Sequence, residues 1–132
     1  MTPRVEQELV LIRQYFPEAE YLESGSGWVR LPEFNFPADI WSKNIADVCF
    51  QIPNAYPGQA PYGFYVKEGF RPKGNNALPS NYTETSEPPF GGIWGKFSWQ
   101  IDGKWEATAD VQGGSNLISF IWSFKDRLKE AN

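Results

Sequence analysis

Two alternating runs joined by a proline-locked turn constrain this chain more than any other feature. Asp47-Val48-Cys49-Phe50-Gln51-Ile52 sets Val48, Phe50 and Ile52 on one face and Asp47, Cys49 and Gln51 on the other. That is the period-two pattern of a half-buried strand. Tyr62-Gly63-Phe64-Tyr65-Val66 reads as a second strand. Between them, Pro53, Pro57 and Pro61 together with Tyr56 fix the turn, because each proline removes a backbone donor and locks φ. The pair is predicted to form part of an antiparallel sheet.

Helical signals bracket this sheet. Thr2-Pro3 reads as a cap followed by proline in the first turn. Val5, Leu9, Ile12 and Phe16 then recur at helical spacing until Pro17 stops the helix. Gly114-Ser115-Asn116 starts a second helix, whose apolar stripe is Leu117, Phe120, Ile121, Phe124 and Leu128. Tyr21-Leu22-Glu23 and Trp28-Val29-Arg30-Leu31 flank Ser24-Gly25-Ser26-Gly27, which predicts a hairpin. Pro32 to Pro37 reads as an irregular, aromatic-bearing stretch. Ile93 to Ile101 is aromatic and strand-like, and Asp102-Gly103 marks a turn. From Phe70 to Gly92 the residues are mainly Gly, Asn, Pro, Ser and Thr without clear period, as in a long functional or mobile loop. The order is helix, a meander of three or four strands, long loop, helix. This predicts an α+β fold with helices packed on an antiparallel sheet.

Composition narrows the function classes. The 132 residues fit one domain, 1–132, with 41% hydrophobic and 17% aromatic content, enough for a packed core. Net charge is -4 and the twelve basic residues are dispersed, so a nucleic-acid interface is not expected. No apolar run reaches the roughly 20 residues that cross a bilayer, and the first residues lack the pattern of a signal peptide. A single cysteine forms no internal disulfide, so the cytoplasm is the expected compartment. With no histidine, a histidine metal site, triad or proton shuttle is excluded, and no cofactor or metal is expected.

The same residues resemble a known family. The strand, Tyr56-Pro57 turn and second strand are similar to the ubiquitin-conjugating (E2, or UBC) fold. Leu31-Pro32, Ile52-Pro53 with Tyr56-Pro57, Pro61 to Tyr65, Trp94 with Phe97-Ser98-Trp99, Trp105, Asp110 and Asn116-Leu117 resemble the prokaryotic E2 families, family E most closely. The match runs from about Trp28 to Leu128. Two departures stand out. Ser98-Trp99-Gln100 occupies the place where family E typically has Ser-Arg-His. The His-Pro-Asn motif and downstream cysteine of ordinary E2 enzymes are missing, with Leu78-Pro79-Ser80-Asn81 as the nearest echo.

The resemblance implies a UBC-like fold and a step in attaching a ubiquitin-like modifier. Its implied partners are an E1-like enzyme, a ubiquitin-like protein and a target protein. It singles out Ser98, which precedes Trp105 by about the interval separating an E2 nucleophile from its tryptophan. A serine there would hold the modifier's C-terminus as an oxyester, and thioester-to-oxyester transfer is downhill. A serine hydroxyl needs a base or an oriented hydrogen bond, and without histidine the base is a carboxylate or a lysine. Asp102 and Asp110 are the nearest acidic candidates downstream, with Glu84 and Glu87 in the loop. Asn81 is placed to donate to an oxyanion, and the hydroxyls of Ser80, Tyr82, Thr83, Thr85 and Ser86 are alternative acceptors. Asp110 either orients an incoming lysine or forms a turn ahead of Gly113-Gly114. Cys49, mid-strand and without basic neighbours in sequence, reads as a buried structural thiol.

Two functions of different class remain open at this point, beside a third, an unrelated small-ligand binder, that rests only on aromatic content. One is an E2-like carrier that accepts and transfers the modifier. The other is a catalytically inactive UBC-fold module that docks the modifier or the E1-like enzyme.

Overall fold

In the computed structural model, which describes residues 1–131, the hydroxyl of Thr2 accepts from the Val5 amide at 3.2 Å and starts α1 (Pro3–Tyr15). Strands β1 (Glu20–Leu22), β2 (Trp28–Asn35), β3 (Ile45–Gln51), β4 (Phe64–Lys67), β5 (Tyr82–Thr85) and β6 (Trp94–Phe97) follow, and then α2 (Leu117–Leu128). All six strands pair antiparallel in the order β1-β2-β3-β4-β6-β5. Asn116 caps α2 in a reciprocal box with Ser119, at 2.8 and 3.0 Å.

Side-chain alternation decides which face is covered. Val29, Leu31, Val48, Phe50, Phe64, Val66 and Phe97 share one cluster with Val5, Leu9 and Ile12 of α1 and Leu117, Phe120, Ile121 and Phe124 of α2. Phe124 stacks on Phe64 at 4.2 Å between centroids, and Phe120 meets Phe50 edge-on at 5.3 Å. Burying each such ring contributes about 2–3 kcal/mol. The opposite face carries a smaller buried group, Trp28, Cys49, Tyr65 and Trp94, with Phe90 packed against it.

Three local expectations need correction. The sheet has six strands rather than three or four, because the Phe70–Gly92 segment contains β5. β5 is an edge strand with no residue fully buried, so it carries no apolar alternation; the exposed Glu84 accepts from Arg71 at 2.7 Å and Tyr82 at 2.9 Å. The Pro32–Pro37 stretch is not wholly irregular. β2 passes through it by shifting register between Leu31 and Phe34, with Glu33 at φ 56 and its amide donating to Asp47 at 3.1 Å. Finally, β6 ends at Phe97 instead of running to Ile101, so Ser98 begins a connection rather than sitting mid-strand.

Candidate functional site

The Tyr56–Pro57 turn is tied to both helices. The Tyr56 hydroxyl donates to Glu8 at 2.5 Å, and the Trp105 indole N–H donates to the Pro57 carbonyl at 2.8 Å. The Tyr56–Pro57 peptide bond is cis. Glu8 is fully buried; its other oxygen accepts from the Leu117 amide at 2.6 Å, at the start of α2, while Arg4 donates to it at 2.6 Å. Burial, then the bond to Glu8, pushes the Tyr56 hydroxyl far above its ordinary range.

Ser98 is exposed, but its flanks are not. Phe97 is buried in the core, the Trp99 carbonyl accepts from the Gly63 amide at 2.7 Å, and the Trp99 indole donates to Ser123 at 2.9 Å. The Ser98 amide itself donates to the Asn81 carbonyl at 2.9 Å. Asn81 is in the left-handed region at φ 55, a conformation Asn tolerates better than most residues. Pro79 is buried, and the Arg127 guanidinium donates to the Ser80 carbonyl at 2.9 Å. The fold therefore brings Ser98 next to Leu78-Pro79-Ser80-Asn81, two segments that sequence reading joined only through the resemblance.

Asp110 is placed differently. It lies in the turn Thr108–Gly113, where its carboxylate accepts from the Gln112 amide at 3.0 Å and its carbonyl from Thr108 at 2.7 Å. Arg4 donates to the Thr108 carbonyl, which docks this turn on the first turn of α1. No hydrogen bond links Asp110 to Ser98 or Asn81 among the described residues. The remaining acidic candidates divide similarly. Glu84 is bound by Arg71 and held below the usual carboxylate range by that bond, and Glu87 accepts from the Tyr65 hydroxyl. Asp102 is exposed and makes no side-chain hydrogen bond among the described residues.

The alternative acceptors are narrowed by their contacts. The Tyr82 hydroxyl accepts from the Phe70 amide at 2.7 Å and donates to Glu84, and burial pushes its pKa up to about 12. Thr85 accepts from the Glu87 amide at 3.1 Å, whereas Ser80, Thr83 and Ser86 are exposed. Cys49 is 0% exposed, and burial drives its thiol well above the ordinary range. Among the described residues, no group of three or more His, Cys, Asp or Glu side chains is arranged to hold a metal ion. No helix among them is long and apolar enough to cross a membrane.

Tryptophan side chains build this scaffold. Trp41 donates to the Leu128 carbonyl and Trp94 to the Gly91 carbonyl, both at 2.8 Å. With Trp99 and Trp105 also bonded inward, Trp122 alone of the six is exposed.

An antiparallel sheet entered by a Tyr-Pro turn, packed with an N-terminal and a C-terminal helix, is an α+β fold of the ubiquitin-conjugating type. The sequence model of Prokaryotic E2 family E matches residues 6–130, and the chain belongs to that family. Its role is accordingly E2-like, in ubiquitin-like conjugation. Neither a curated protein nor a solved structure matches the chain.

Proposed function

We propose that this protein accepts a ubiquitin-like modifier from an E1-like enzyme as an oxyester on Ser98 and passes it to a target protein. One observation carries the reading. Ser98 is an exposed hydroxyl on a backbone clamped to Asn81, whereas the single thiol of the chain is buried, which pushes its pKa up. In the loading step the Ser98 Oγ bonds to the carbonyl carbon of the E1 thioester. The C–S bond breaks, and the serine proton leaves with the departing sulfur. The energetic demand is placement, since a serine hydroxyl is un-ionised at neutral pH. Asn81 is the nearby donor for the oxyanion, and Asp102 the free carboxylate of the same connection. Asp110, in its separate turn, belongs to the later step, in which it orients the incoming amine.

A second reading rests on one observation too. No carboxylate or lysine is hydrogen-bonded to the Ser98 hydroxyl among the described residues, as fits an inactive UBC-fold module that docks the modifier or the E1-like enzyme. A single experiment separates the two. The protein is mixed with its E1-like enzyme, modifier and ATP, and the adduct is analysed. An oxyester survives a thiol reductant, yields to hydroxylamine or mild alkali, and disappears in Ser98→Ala. An adduct lost only on mutating Thr83 or Ser86 moves the acceptor into the loop. Stable binding without any adduct establishes the docking module instead.

A further inference from the structure

α2 contributes one side chain to the neighbourhood of Ser98 that the family motifs do not mark. The Arg127 guanidinium is half-buried, with its carbon 4.7 Å from the centroid of Phe97 and 5.9 Å from that of Trp41. One nitrogen donates to the Ser80 carbonyl at 2.9 Å and another to the Glu130 carbonyl at 3.0 Å. No carboxylate lies within 4.0 Å of it among the described residues. A guanidinium desolvated without a carboxylate in contact is costly, and burial pulls its pKa down from the ordinary value, against a smaller upward pull from the Glu130 charge. The ring beneath it repays part of that through the cation–π contact, about 0.5–2 kcal/mol. What this cation spans is informative. Ser80 precedes Asn81, Asn81 holds the Ser98 amide, and Phe97 precedes Ser98.

We infer that Arg127 is a positioning residue of the acyl-acceptor site. It holds the Ser80–Asn81 turn against Ser98 and adds a positive charge, offset only at a distance by the Glu130 carboxylate, where the carbonyl oxygen of the incoming thioester turns negative. The inference rests on Ser98 being the acceptor. The step is the one written above: the Oγ–C bond forms, the C–S bond breaks, and the proton leaves with the sulfur. Arg127 exchanges no proton in it. It acts through the Ser80 carbonyl and through its field, which a half-buried site screens less than water does.

A competing role is purely structural, since the bond to the Glu130 carbonyl tidies the end of α2. The two roles differ in what they move. Amide exchange in Arg127→Gln is followed by NMR on the free protein, without partners. Loss of the turn is expected to speed Ser98 amide exchange about 10-fold while the Val48 and Phe50 amides of β3 stay protected. An end-cap role alone would loosen the Lys129 amide and leave Ser98 unchanged, which overturns the inference.

Single-turnover loading from the E1-like enzyme is the second arm. Arg127→Gln is expected to slow loading about 10-fold or more with binding to the E1-like enzyme preserved, and Arg127→Lys to recover part of it. Arg127→Ala is expected to regain rate in millimolar guanidinium chloride, a response that mere loss of packing would not give. Unaltered loading in Arg127→Gln, with wild-type protein loading normally, sinks the inference. Absence of loading in the wild type, with the Ser98 amide still freed by Arg127→Gln, sinks the Ser98 reading and leaves the coupling of Arg127 to the turn standing.

Discussion

The Cys49 side chain packs with Trp28, Tyr65 and Trp94 on the face of the sheet that the helices leave uncovered, and Phe90 closes over this group. Arg30 lies over the Phe90 ring at 5.6 Å, and Tyr65 is bonded to Glu87, so the Glu87–Phe90 segment is strapped across the thiol. A group so placed neither ionises readily nor meets a macromolecular thioester. Cys49→Ala is expected to load as the wild type does and to lose about 1 kcal/mol of stability from the space left behind. Gel analysis of the adduct and urea denaturation check the two halves. Loss of the adduct in a folded Cys49→Ala protein would make the thiol, not Ser98, the acyl carrier. The alternation of Asp47 to Ile52 made this position legible, because a mid-strand residue flanked by core side chains lies on a sheet face. Its burial was expected on that ground; what the sequence did not show is the cover, since Phe90 comes from forty-one positions along the chain.

At the scale of elements, the contact between the helices is polar at its centre. Glu8 lies one position from Leu9 on α1, yet it is 0% exposed and binds Arg4, Tyr56 and the first amide of α2. The Arg4 guanidinium and the first amide of α2 supply that side chain with its donors. Glu8→Ala would leave the Tyr56 hydroxyl and the Leu117 amide unpartnered and Arg4 with only the Thr108 carbonyl, so a loss of about 3–5 kcal/mol is expected in urea denaturation. A loss under about 1 kcal/mol would mean that water replaces the carboxylate without penalty. Helical periodicity located Val5, Leu9 and Ile12 correctly, because apolar burial leaves a pattern within one element. Glu8 left none. Its partners come from the Tyr-Pro turn and from α2, and only their convergence makes its charge acceptable inside. β5 escaped for another reason: as an edge strand it buries no residue fully, and Glu84 is paired with Arg71 from outside the strand.

Across the whole molecule, several acids are kept protonated by the fold. Burial, then bonding to a carboxylate, raises Tyr56 and Tyr65; burial raises Tyr82 to about 12 and lifts the Cys49 thiol. In the unfolded chain tyrosine ionises near pH 10 and cysteine near 8.5. For a group raised on folding, its stabilisation is whole below the unfolded pKa and is lost as pH rises towards the folded one. Stability is therefore expected to hold from about pH 7 to 8 and then to fall with increasing slope above about pH 10. Urea midpoints measured from pH 7 to pH 11 check this, and an unchanged midpoint at pH 11 contradicts it. The Tyr82 contribution ends by about pH 12, so Tyr82→Phe should make the decline between pH 10 and 12 shallower.

What the sequence determined by itself is the class of fold and the ends of its helices. The Tyr56–Pro57 turn, the two apolar stripes and the Asn116 cap act through neighbours within a few positions, where periodicity and backbone chemistry suffice. It also named Ser98 and Asn81 as a pair, though only by resemblance. Tertiary structure decided how they meet, through one backbone hydrogen bond across a hairpin, and it decided that Asp110 belongs to another turn. It alone brought Arg127, twenty-nine positions after Ser98, over Phe97 and onto Ser80. A cation near the end of an amphipathic helix reads in sequence as a solvated side chain. Only the crossing of α2 against the end of the β5–β6 hairpin supplies the Phe97 ring and the Ser80 carbonyl that it meets.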